Sequence, residues 1–436
     1  MIVMKFGGTS VGTAASIQNV LEIVRRRLAR RPVVVVSAHS GVTDMLVDLS
    51  QRAPRGNVDT ARLEERHRAI LAELGLPDTL HESLLQELRE LARGMKLVGE
   101  ASPRAIDLML SFGERLSART VAAYFTLHGL EARAIDAFDA GLRTDSTFGR
   151  ARPLPDDGRV KRFIAGVREV PVVTGYIAAD EHGNVTTLGR NGSDYSASLF
   201  GNALDAEEIQ IWTDVDGVMT ADPKLVAEAR PIATMSFDEA SELAYYGGKV
   251  LHPATILPAM EKAIPVRVLN TRRPEYAGTV VLPDYEEAGS VVRAVAHKRG
   301  VHLVNIVTPR MLQTHGFLAK VFDAAARHEV VIDLVATSEI SITMTTDSAR
   351  HLDRLAADLG QLGRVTVEPG HAMVCLVGHG MAKDRMVLAR ALTAVAEAGV
   401  RPRVLSQGAI RVNLALVVTE AEMERAVKAL HACFFP

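Results

Sequence analysis

The run RPVVVVSA, residues 31–38, most constrains the fold, because its consecutive β-branched residues are apolar on both faces. A strand that is buried on both faces is typical of the centre of a parallel sheet covered by helices. Further strand patterns, IVMKF, EARAIDA and EIQIWTDV, alternate with segments of helical periodicity and short loops. This alternation predicts an α/β fold, a parallel-rich open sheet with helices on both faces.

The last third of the chain carries a weak internal repeat with a period of about 70 residues. Each half has the pattern β-α-β-β-α, which is typical of a ferredoxin-like module, and tandem modules pair with each other or across a dimer. The composition shifts near residue 284. We therefore predict an α/β domain at 1–284 and ferredoxin-like domains at 300–366 and 371–436, with 285–299 as a linker or a shared strand.

Charge and cysteine content exclude several classes of protein. The formal net charge is −2, which gives no electrostatic reason to expect a nucleic-acid or anionic-membrane partner, and the arginines at 25–31 are interpreted as a solvated helix end. Cys375 and Cys433 lack metal-ligand spacing and cannot form a disulfide framework. No apolar run approaches the roughly 20 residues of a membrane span, and the N-terminus does not resemble a signal peptide. We expect a cytoplasmic protein.

The segment KFGGTS, which begins at Lys5, lies where a strand turns into a helix. Gly7 and Gly8 let backbone N–H groups approach an anion closely, and the helix N-terminus adds partial positive charge. Lys5 supplies a full charge on the same side, although the loop is not a Walker motif because its lysine precedes the glycines. An ordinary tight turn, with Lys5 as a strand-edge residue, is the alternative.

Two further polar loops follow strands. In TLGRNGSDYSAS, Arg190 can bind a carboxylate or phosphate through its planar guanidinium, whereas Asp194 could be only a helix cap. In WTDVDGVMTADP, Asp214 and Asp216 could order donors around a nucleotide or contact its magnesium, and a turn-rich connection is an equal alternative. Ligands of open α/β sheets bind at the carboxyl edge of the strands, where all three loops should lie.

Three short motifs are weak by themselves. GGKVLHP places Lys249 after two glycines, and SGVTD places Thr43 at a helix start, where it could be only an N-terminal cap. SFGE places Glu114 beside Gly113 inside a helix. Because a glycine costs about 1 kcal/mol in a helix interior, Gly113 indicates that something approaches this helix closely.

Taken together, these motifs resemble the aspartate kinases of the amino-acid kinase family. KFGGTSV, SAHSGVT, SFGERLSA, TLGRNGSDYSA, WTDVDGV, TADP and GGKVLHP occur here in the family's order, so the resemblance covers essentially the whole chain. The region MLQTHGFLAKVFDAAARHEVVIDLVATSE is similar to the first regulatory ACT domain of lysine-sensitive members, and SQGAIRVNLALVV is similar to the second.

The resemblance implies an ATP- and Mg²⁺-dependent reaction that converts L-aspartate to 4-phospho-L-aspartate, the first step toward lysine, threonine and methionine. It makes Lys5 a contact of the transferred phosphoryl group and Asp194 the residue that orients Lys5. It assigns substrate binding to Thr43, Glu114, Arg190, Asn191, Gly192 and Ser193. It assigns the nucleotide to Lys5, Gly7, Gly8, Thr9, Ser10, Thr213, Asp214, Met219, Lys224, Lys249 and Val250. No protein metal ligand is assigned.

The resemblance also implies feedback regulation by an amino acid, lysine or threonine, in a homodimer or homotetramer. The matching effector positions are Met311, Thr314, Gly316, Phe317, Leu318, Val331, Ile332, Asp333, Ser338 and Glu339. Met219 and Lys224 depart from the tyrosine and arginine that are common in the family, and Gln313 and Thr314 differ from the lysine-sensitive pattern. These departures concern ATP affinity and the choice of effector.

Two other functions are alternatives for a chain with these motifs. Another amino-acid kinase, acting on glutamate or acetylglutamate, is disfavoured by the tandem repeat and the RNGSD stretch. A catalytically silent amino-acid sensor is disfavoured by the set Lys5, Arg190 and Asp194. A bifunctional enzyme with a homoserine dehydrogenase half is not expected for this length.

Overall fold

A computed structural model describes residues 1–246, 253–283, 285, 291–311, 315–408 and 412–436. The chain divides into two compact units, and each is described by itself. Unit 1 comprises Met1–Val218, Ala233–Phe237 and Val250–Tyr285, and unit 2 comprises Met219–Ile232, Asp238–Lys249 and Glu286–Pro436.

Unit 1 is an α/β body, and its elements alternate as the sequence predicts. Its strands are β1 (Ile2–Phe6), β2 (Pro32–Val36), β3 (Ala132–Ile135), β4 (Val170–Thr174), β5 (Ile177–Ala179), β6 (Val185–Thr187), β7 (Glu208–Thr213), β8 (Thr234–Ser236), β9 (Val266–Asn270) and β10 (Thr279–Leu282). Its helices are α1 (Ala14–Arg25), α2 (Val42–Arg52), α3 (Ala61–Glu73), α4 (Glu82–Val98), α5 (Pro103–Leu127), α6 (Arg159–Ala165), α7 (Gly192–Ala203) and α9 (Pro253–Glu261). Between α7 and α9 in the sequence, α8 (Phe237–Tyr245) begins in unit 1 and continues in unit 2.

The main sheet of unit 1 has the strand order β3-β4-β2-β1-β7-β9-β10-β8. Neighbouring strands are parallel except β9 and β10, which are antiparallel, so the parallel-rich sheet is confirmed. Strands β1 and β2 are buried at every residue, as the apolar run predicts. Strand β1 lies between β2 and β7, with Phe6 in register with Val36 and Trp212. The loops that follow these three strands are therefore neighbours.

Helix α5 approaches the sheet closely because of one glycine. A Cβ at Gly113 would lie only 2.8 Å from the Cβ of Ala38, which follows β2. This contact accounts for a glycine in the interior of a helix of 25 residues. Ser102 caps the N-terminus of α5, and Gly129, at φ +80°, follows its C-terminus.

Unit 2 contains both copies of the predicted repeat. Its elements are β11 (Ala294–Val307), α10 (Phe317–Arg327), β12 (Leu334–Thr337), β13 (Ser341–Thr346), α11 (Leu352–Leu359), β14 (Arg364–Val377), α12 (Val387–Glu397), β15 (Val404–Ser406), β16 (Asn413–Thr419) and α13 (Glu420–Phe434). All neighbouring strands in the order β12-β13-β11-β14-β16-β15 are antiparallel. The two modules therefore pair with each other through β11 and β14.

Two segments from earlier in the chain belong to unit 2. Thr220 accepts a backbone hydrogen bond of 2.8 Å from Val295, and its hydroxyl contacts His431 Nε2 at 3.0 Å. On α8, Glu242 accepts a hydrogen bond of 2.5 Å from Asn413. Hydrogen bonds thus bind both segments to the six-stranded sheet, and the first segment also shares an apolar core with it through Ala221 and Val226. No helix in the described ranges is both long enough and apolar enough to cross a lipid bilayer.

Candidate active site

Lys5 is the penultimate residue of β1, just before the glycine loop, and it is only 9% exposed. Its ammonium lies 2.6 Å from Asp194 Oδ1, in the first turn of α7. A Cβ at Gly7 would lie 3.6 Å from Lys5 Nζ, so the charge lies against the glycine loop. The structure thus brings together the three predicted residues Lys5, Gly7 and Asp194 at the carboxyl edge of the sheet.

The glycine loop presents free backbone donors. Ser10 and Val11 both donate to the Gly7 carbonyl, whereas within the described part of the chain the N–H groups of Gly8 and Thr9 have no protein acceptor. A Cβ at Gly8 would lie 2.9 Å from the Ala38 carbonyl oxygen, so only glycine fits this close approach. The loop is a tight turn, and it also carries unpaired N–H groups beside a buried ammonium, which is the arrangement that binds anions.

The second predicted loop enters α7 at Gly192, after Asn191 in a left-handed conformation at φ 57°. Asp194 is therefore inside the helix and paired with Lys5, so the alternative that it only caps the helix is wrong. A Cβ at Gly192 would lie 2.6 Å from the Tyr176 ring, and a side chain at Gly175 would collide with Ser193. These close contacts fix the start of α7 against the end of β4.

Arg190 and Thr43 are exposed at the edges of the same region. The Arg190 guanidinium has no carboxylate partner among the residues that the structure describes, so it is available for a ligand. Thr43 is the second residue of α2, and the preceding cap residue is Gly41 at φ 80°, so Thr43 is not the N-terminal cap. The geometry gives no distance that assigns either side chain to a substrate, and both roles stay predictions.

Glu114 is a buried acid of unit 1 whose pKa lies far above its usual value. Its side chain is buried, its Oε1 accepts a hydrogen bond of 3.1 Å from the Ala38 N–H, and its Oε2 has no partner within the described ranges. Burial raises the pKa of Glu114 to about 8. A buried carboxylate oxygen without a donor is costly unless a ligand supplies one, and an ammonium group would be such a ligand.

The third predicted loop supplies one open carboxylate. Asp216 accepts hydrogen bonds from Asn270 at 2.7 Å and Arg273 at 2.6 Å, so it holds the loop in place. Asp214 is exposed and contacts only the neighbouring Thr213 hydroxyl, at 3.3 Å, in the described structure. Asp214 is therefore the acid that remains available at the end of β7.

Four other predicted nucleotide residues lie in unit 2 or outside the described residues. Met219 and Lys224 belong to unit 2, and Lys249 and Val250 lie outside the described residues. The nucleotide contacts of all four stay predictions.

The predicted effector residues lie in unit 2, apart from Thr314, which falls outside the described residues. Asp333 accepts a hydrogen bond of 2.6 Å from the Tyr245 hydroxyl and contacts Lys298 Nζ at 3.2 Å, with its side chain 2% exposed. Asp333 is therefore a buried, paired carboxylate rather than a solvated residue at a strand edge. The remaining described positions are Met311, Gly316, Phe317, Leu318, Val331, Ile332, Ser338 and Glu339, and no contact with an effector tests them.

Sequence reasoning missed several residues that shape the site. Asp107 on α5 is buried and accepts hydrogen bonds from the N–H groups of Gly149 (2.9 Å) and Thr187 (2.8 Å), which ties β6 to α5. Arg66 and His39 connect the loops that follow β1 and β2. An acid on the apolar face of α5 and a histidine inside SAHSGVT were the available signals.

Comparisons with known proteins agree with this geometry. The model of the amino acid kinase family matches residues 1–270, and an ACT domain model matches residues 374–434. The chain is 37% identical to aspartokinase 1, chloroplastic, of Arabidopsis thaliana over 99% of this chain and 80% of that protein. It is 34% identical to lysine-sensitive aspartokinase 3 of Escherichia coli over 100% of this chain and 99% of that protein.

Solved structures indicate the same family. The chain is similar to E. coli aspartokinase III in complex with aspartate and ADP, with a TM-score of 0.84 and 32% identity over the full length of both chains. It is also similar to that enzyme in complex with lysine and aspartate, with a TM-score of 0.82 and 33% identity over the full length of both chains. The chain therefore belongs to the aspartokinases of the amino acid kinase family.

Proposed function

We propose that this chain transfers the terminal phosphoryl group of ATP to the side-chain carboxylate of L-aspartate, giving ADP and 4-phospho-L-aspartate. The observation that carries the proposal is the Lys5–Asp194 pair at 2.6 Å beside a loop whose Gly8 and Thr9 N–H groups have no acceptor among the described residues. The reaction is the first step toward lysine, threonine and methionine.

The chemistry needs charge neutralisation more than proton transfer. The nucleophile is a carboxylate that is already ionised at pH 7, so no general base is required. The barrier lies in bringing two anions together, and it falls when fixed positive charge and N–H donors surround the transferred group. Asp194, at 2.6 Å, would hold the Lys5 ammonium for this role.

The substrate would be recognised through both ends of its amino-acid group. Glu114 would bind the ammonium through its free Oε2, and Arg190 would bind a carboxylate through its guanidinium. Thr43, Asn191, Gly192 and Ser193 would line the same pocket. A substrate held in this way presents its side-chain carboxylate as the nucleophile.

Mg²⁺ would arrive with the nucleotide. Within the described residues no group of three or more His, Cys, Asp or Glu side chains could hold a metal ion. Mg²⁺ in kinases is usually held by one or two carboxylates together with substrate phosphates, and the exposed Asp214 could supply one such oxygen. When bound, the ion supplies charge neutralisation on the phosphates, while this chain's own residues position the two substrates.

The repeated modules of unit 2 would bind a feedback effector, lysine or threonine, and Asp333 would receive its ammonium. We further propose a homodimer or homotetramer, which size-exclusion chromatography with light scattering would measure. A cytoplasmic location stays the prediction of the cysteine usage, and fractionation of the source cells would test it.

An ADP-release assay with a panel of amino acids tests the proposed reaction. We expect turnover with aspartate and inhibition by lysine, threonine or both, measured separately and together. Turnover with glutamate but not aspartate would instead support a different amino-acid kinase.

A variant separates an enzyme from a silent amino-acid sensor. Lys5→Ala should abolish turnover and leave effector binding, measured by calorimetry, nearly unchanged. Full activity in Lys5→Ala would show that Lys5 lacks the role assigned to it.

A further inference from the structure

His39 connects the two loops that frame the proposed phosphate site. It lies in the loop between β2 and α2, is 1% exposed, and contacts the Val11 carbonyl through Nδ1 at 2.5 Å. Because a carbonyl oxygen can only accept, the proton is on Nδ1 and the imidazole is the donor. Val11 follows directly after the glycine loop that contains Gly8.

Other contacts join the same two loops. Ser40 donates its N–H to the Gly8 carbonyl at 3.1 Å, and Arg66 on α3 donates to the carbonyls of Ser40 at 2.8 Å and Gly12 at 3.3 Å. The position of the free Gly8 and Thr9 N–H groups therefore depends on how firmly the loops are joined.

The His39 ring packs beside a second imidazole, which packs beside a third. His67 lies 5.2 Å from His39 between ring centroids, and His81 lies 5.3 Å from His67. His81 Nε2 contacts the Thr120 hydroxyl of α5 at 3.0 Å. The Nε2 of His39 has no hydrogen-bond partner in the described structure. Packing thus orients the His39 ring, and only Nδ1 makes a directed bond.

We propose that His39 is a positioning residue for nucleotide binding, which fixes the glycine loop through its Nδ1–H bond to the Val11 carbonyl. This inference rests on the proposed kinase function. It assigns His39 no contact with a substrate, because its bond ends on the loop that carries the phosphate donors. A loop held only loosely would place the Gly8 and Thr9 N–H groups less accurately around an anion.

Two substitutions distinguish a directed bond from simple packing. Asparagine places its side-chain N–H₂ where Nδ1 lies, whereas glutamine reaches toward the position of Nε2 and is nearer to histidine in volume. If the Nδ1 bond positions the loop, H39N should lose less nucleotide affinity than H39Q. If His39 acts only by packing, H39Q should lose less affinity than H39N. The loss of one hydrogen bond of about 1.4 kcal/mol corresponds to a tenfold change in affinity.

The measurement is calorimetric binding of ADP with Mg²⁺, together with KM for ATP and for aspartate. We expect the ADP Kd and the ATP KM of H39N to stay within about threefold of the wild type, and those of H39Q to rise about tenfold, with a smaller change in the aspartate KM. Thermal unfolding midpoints verify folding, and the exposed His128→Asn and His128→Gln pair is the matched control.

Two results would overturn the proposal. One is a loss of nucleotide affinity in H39Q that is equal to or smaller than the loss in H39N. The other is the failure of both variants to fold, which would make His39 a structural residue. Absence of wild-type turnover with aspartate counts against the proposed function instead, because the ADP affinities of the variants are measured independently of that reaction.

Discussion

The substitution Glu114→Gln should make the ligand-free protein more stable while it weakens aspartate binding. Glutamine keeps an oxygen that can accept the Ala38 N–H bond, which is 3.1 Å long in the structure, but it removes the ionisable group. Because burial raises the pKa of Glu114 to about 8, the folded chain resists the ionisation that an ammonium ligand requires. The wild type therefore carries a stability penalty at neutral pH that the variant lacks.

The size of this penalty follows from proton linkage. Below pH 4.5 the carboxyl is protonated in both folded and unfolded chains, so ionisation contributes nothing to their difference. Between pH 4.5 and about 8 the unfolded chain loses the proton while the folded chain keeps it, so the free energy of unfolding falls as pH rises. At pH 7.5 the difference amounts to about 4 kcal/mol, at about 1.36 kcal/mol for each pH unit.

Thermal unfolding of both proteins from pH 4.5 to 8.5 measures this effect. The midpoint of Glu114→Gln should exceed that of the wild type by an amount that grows with pH and levels off above pH 8, at about 2–4 °C for each kcal/mol. In the same range, kcat/KM for aspartate should rise with pH in the wild type and be low and flat in the variant.

A second buried glutamate is the matched control. The hydrogen bond from Arg89 lowers the pKa of Glu64 to about 2, so Glu64 stabilises the folded chain above pH 4.5 and loses this effect as pH falls toward 2. Glu64→Gln should therefore lower the midpoint at neutral pH, opposite in sign to Glu114→Gln. A difference between wild type and Glu114→Gln that does not vary with pH would refute the reasoning.

Three further substitutions have expected outcomes. Arg190→Ala should raise KM for aspartate about tenfold with an unchanged unfolding midpoint, because its exposed guanidinium has no carboxylate partner among the described residues; an unchanged KM would contradict this role. Gly192→Ala would place a Cβ 2.6 Å from the Tyr176 ring and should lower the unfolding free energy by about 1–3 kcal/mol; an unshifted denaturation curve would show that the ring yields freely. Tyr245→Phe removes the 2.6 Å donor to Asp333, so inhibition curves should show a severalfold lower half-inhibitory lysine concentration, and a higher one would contradict competition for Asp333.

The parts of the fold that the sequence predicts are those that depend on local patterns. The apolar run of β2 indicates burial on both faces, and the glycines after Lys5 mark the end of β1, because periodicity and glycine conformation act over a few residues. The repeated β-α-β-β-α modules are predictable for the same reason. Loops at the ends of parallel strands share one edge, so the approximate position of the site follows as well.

The contacts that define the site come from distant parts of the chain, and local patterns do not contain them. Lys5 and Asp194 meet where α7 begins at Gly192, which places Asp194 in the first turn of the helix, whereas a start three residues later would make Asp194 the helix cap. Similarly, Tyr245 meets Asp333 through the packing of α8 in unit 2. A composition shift indicates a domain boundary along the chain, but it does not show which earlier segments pack with later ones.

The position of Lys5 argues that the site is built for binding rather than for stability. A lysine residue that is only 9% exposed, on a buried strand, is largely removed from water, and one carboxylate at 2.6 Å compensates this loss only in part. Buried ion pairs of this kind are often no more stable than apolar residues of the same size. The pair holds an ammonium on a rigid strand beside the Gly8 and Thr9 N–H groups, which have no acceptor among the described residues. An anionic ligand would therefore accept hydrogen bonds from donors that the described chain leaves unused.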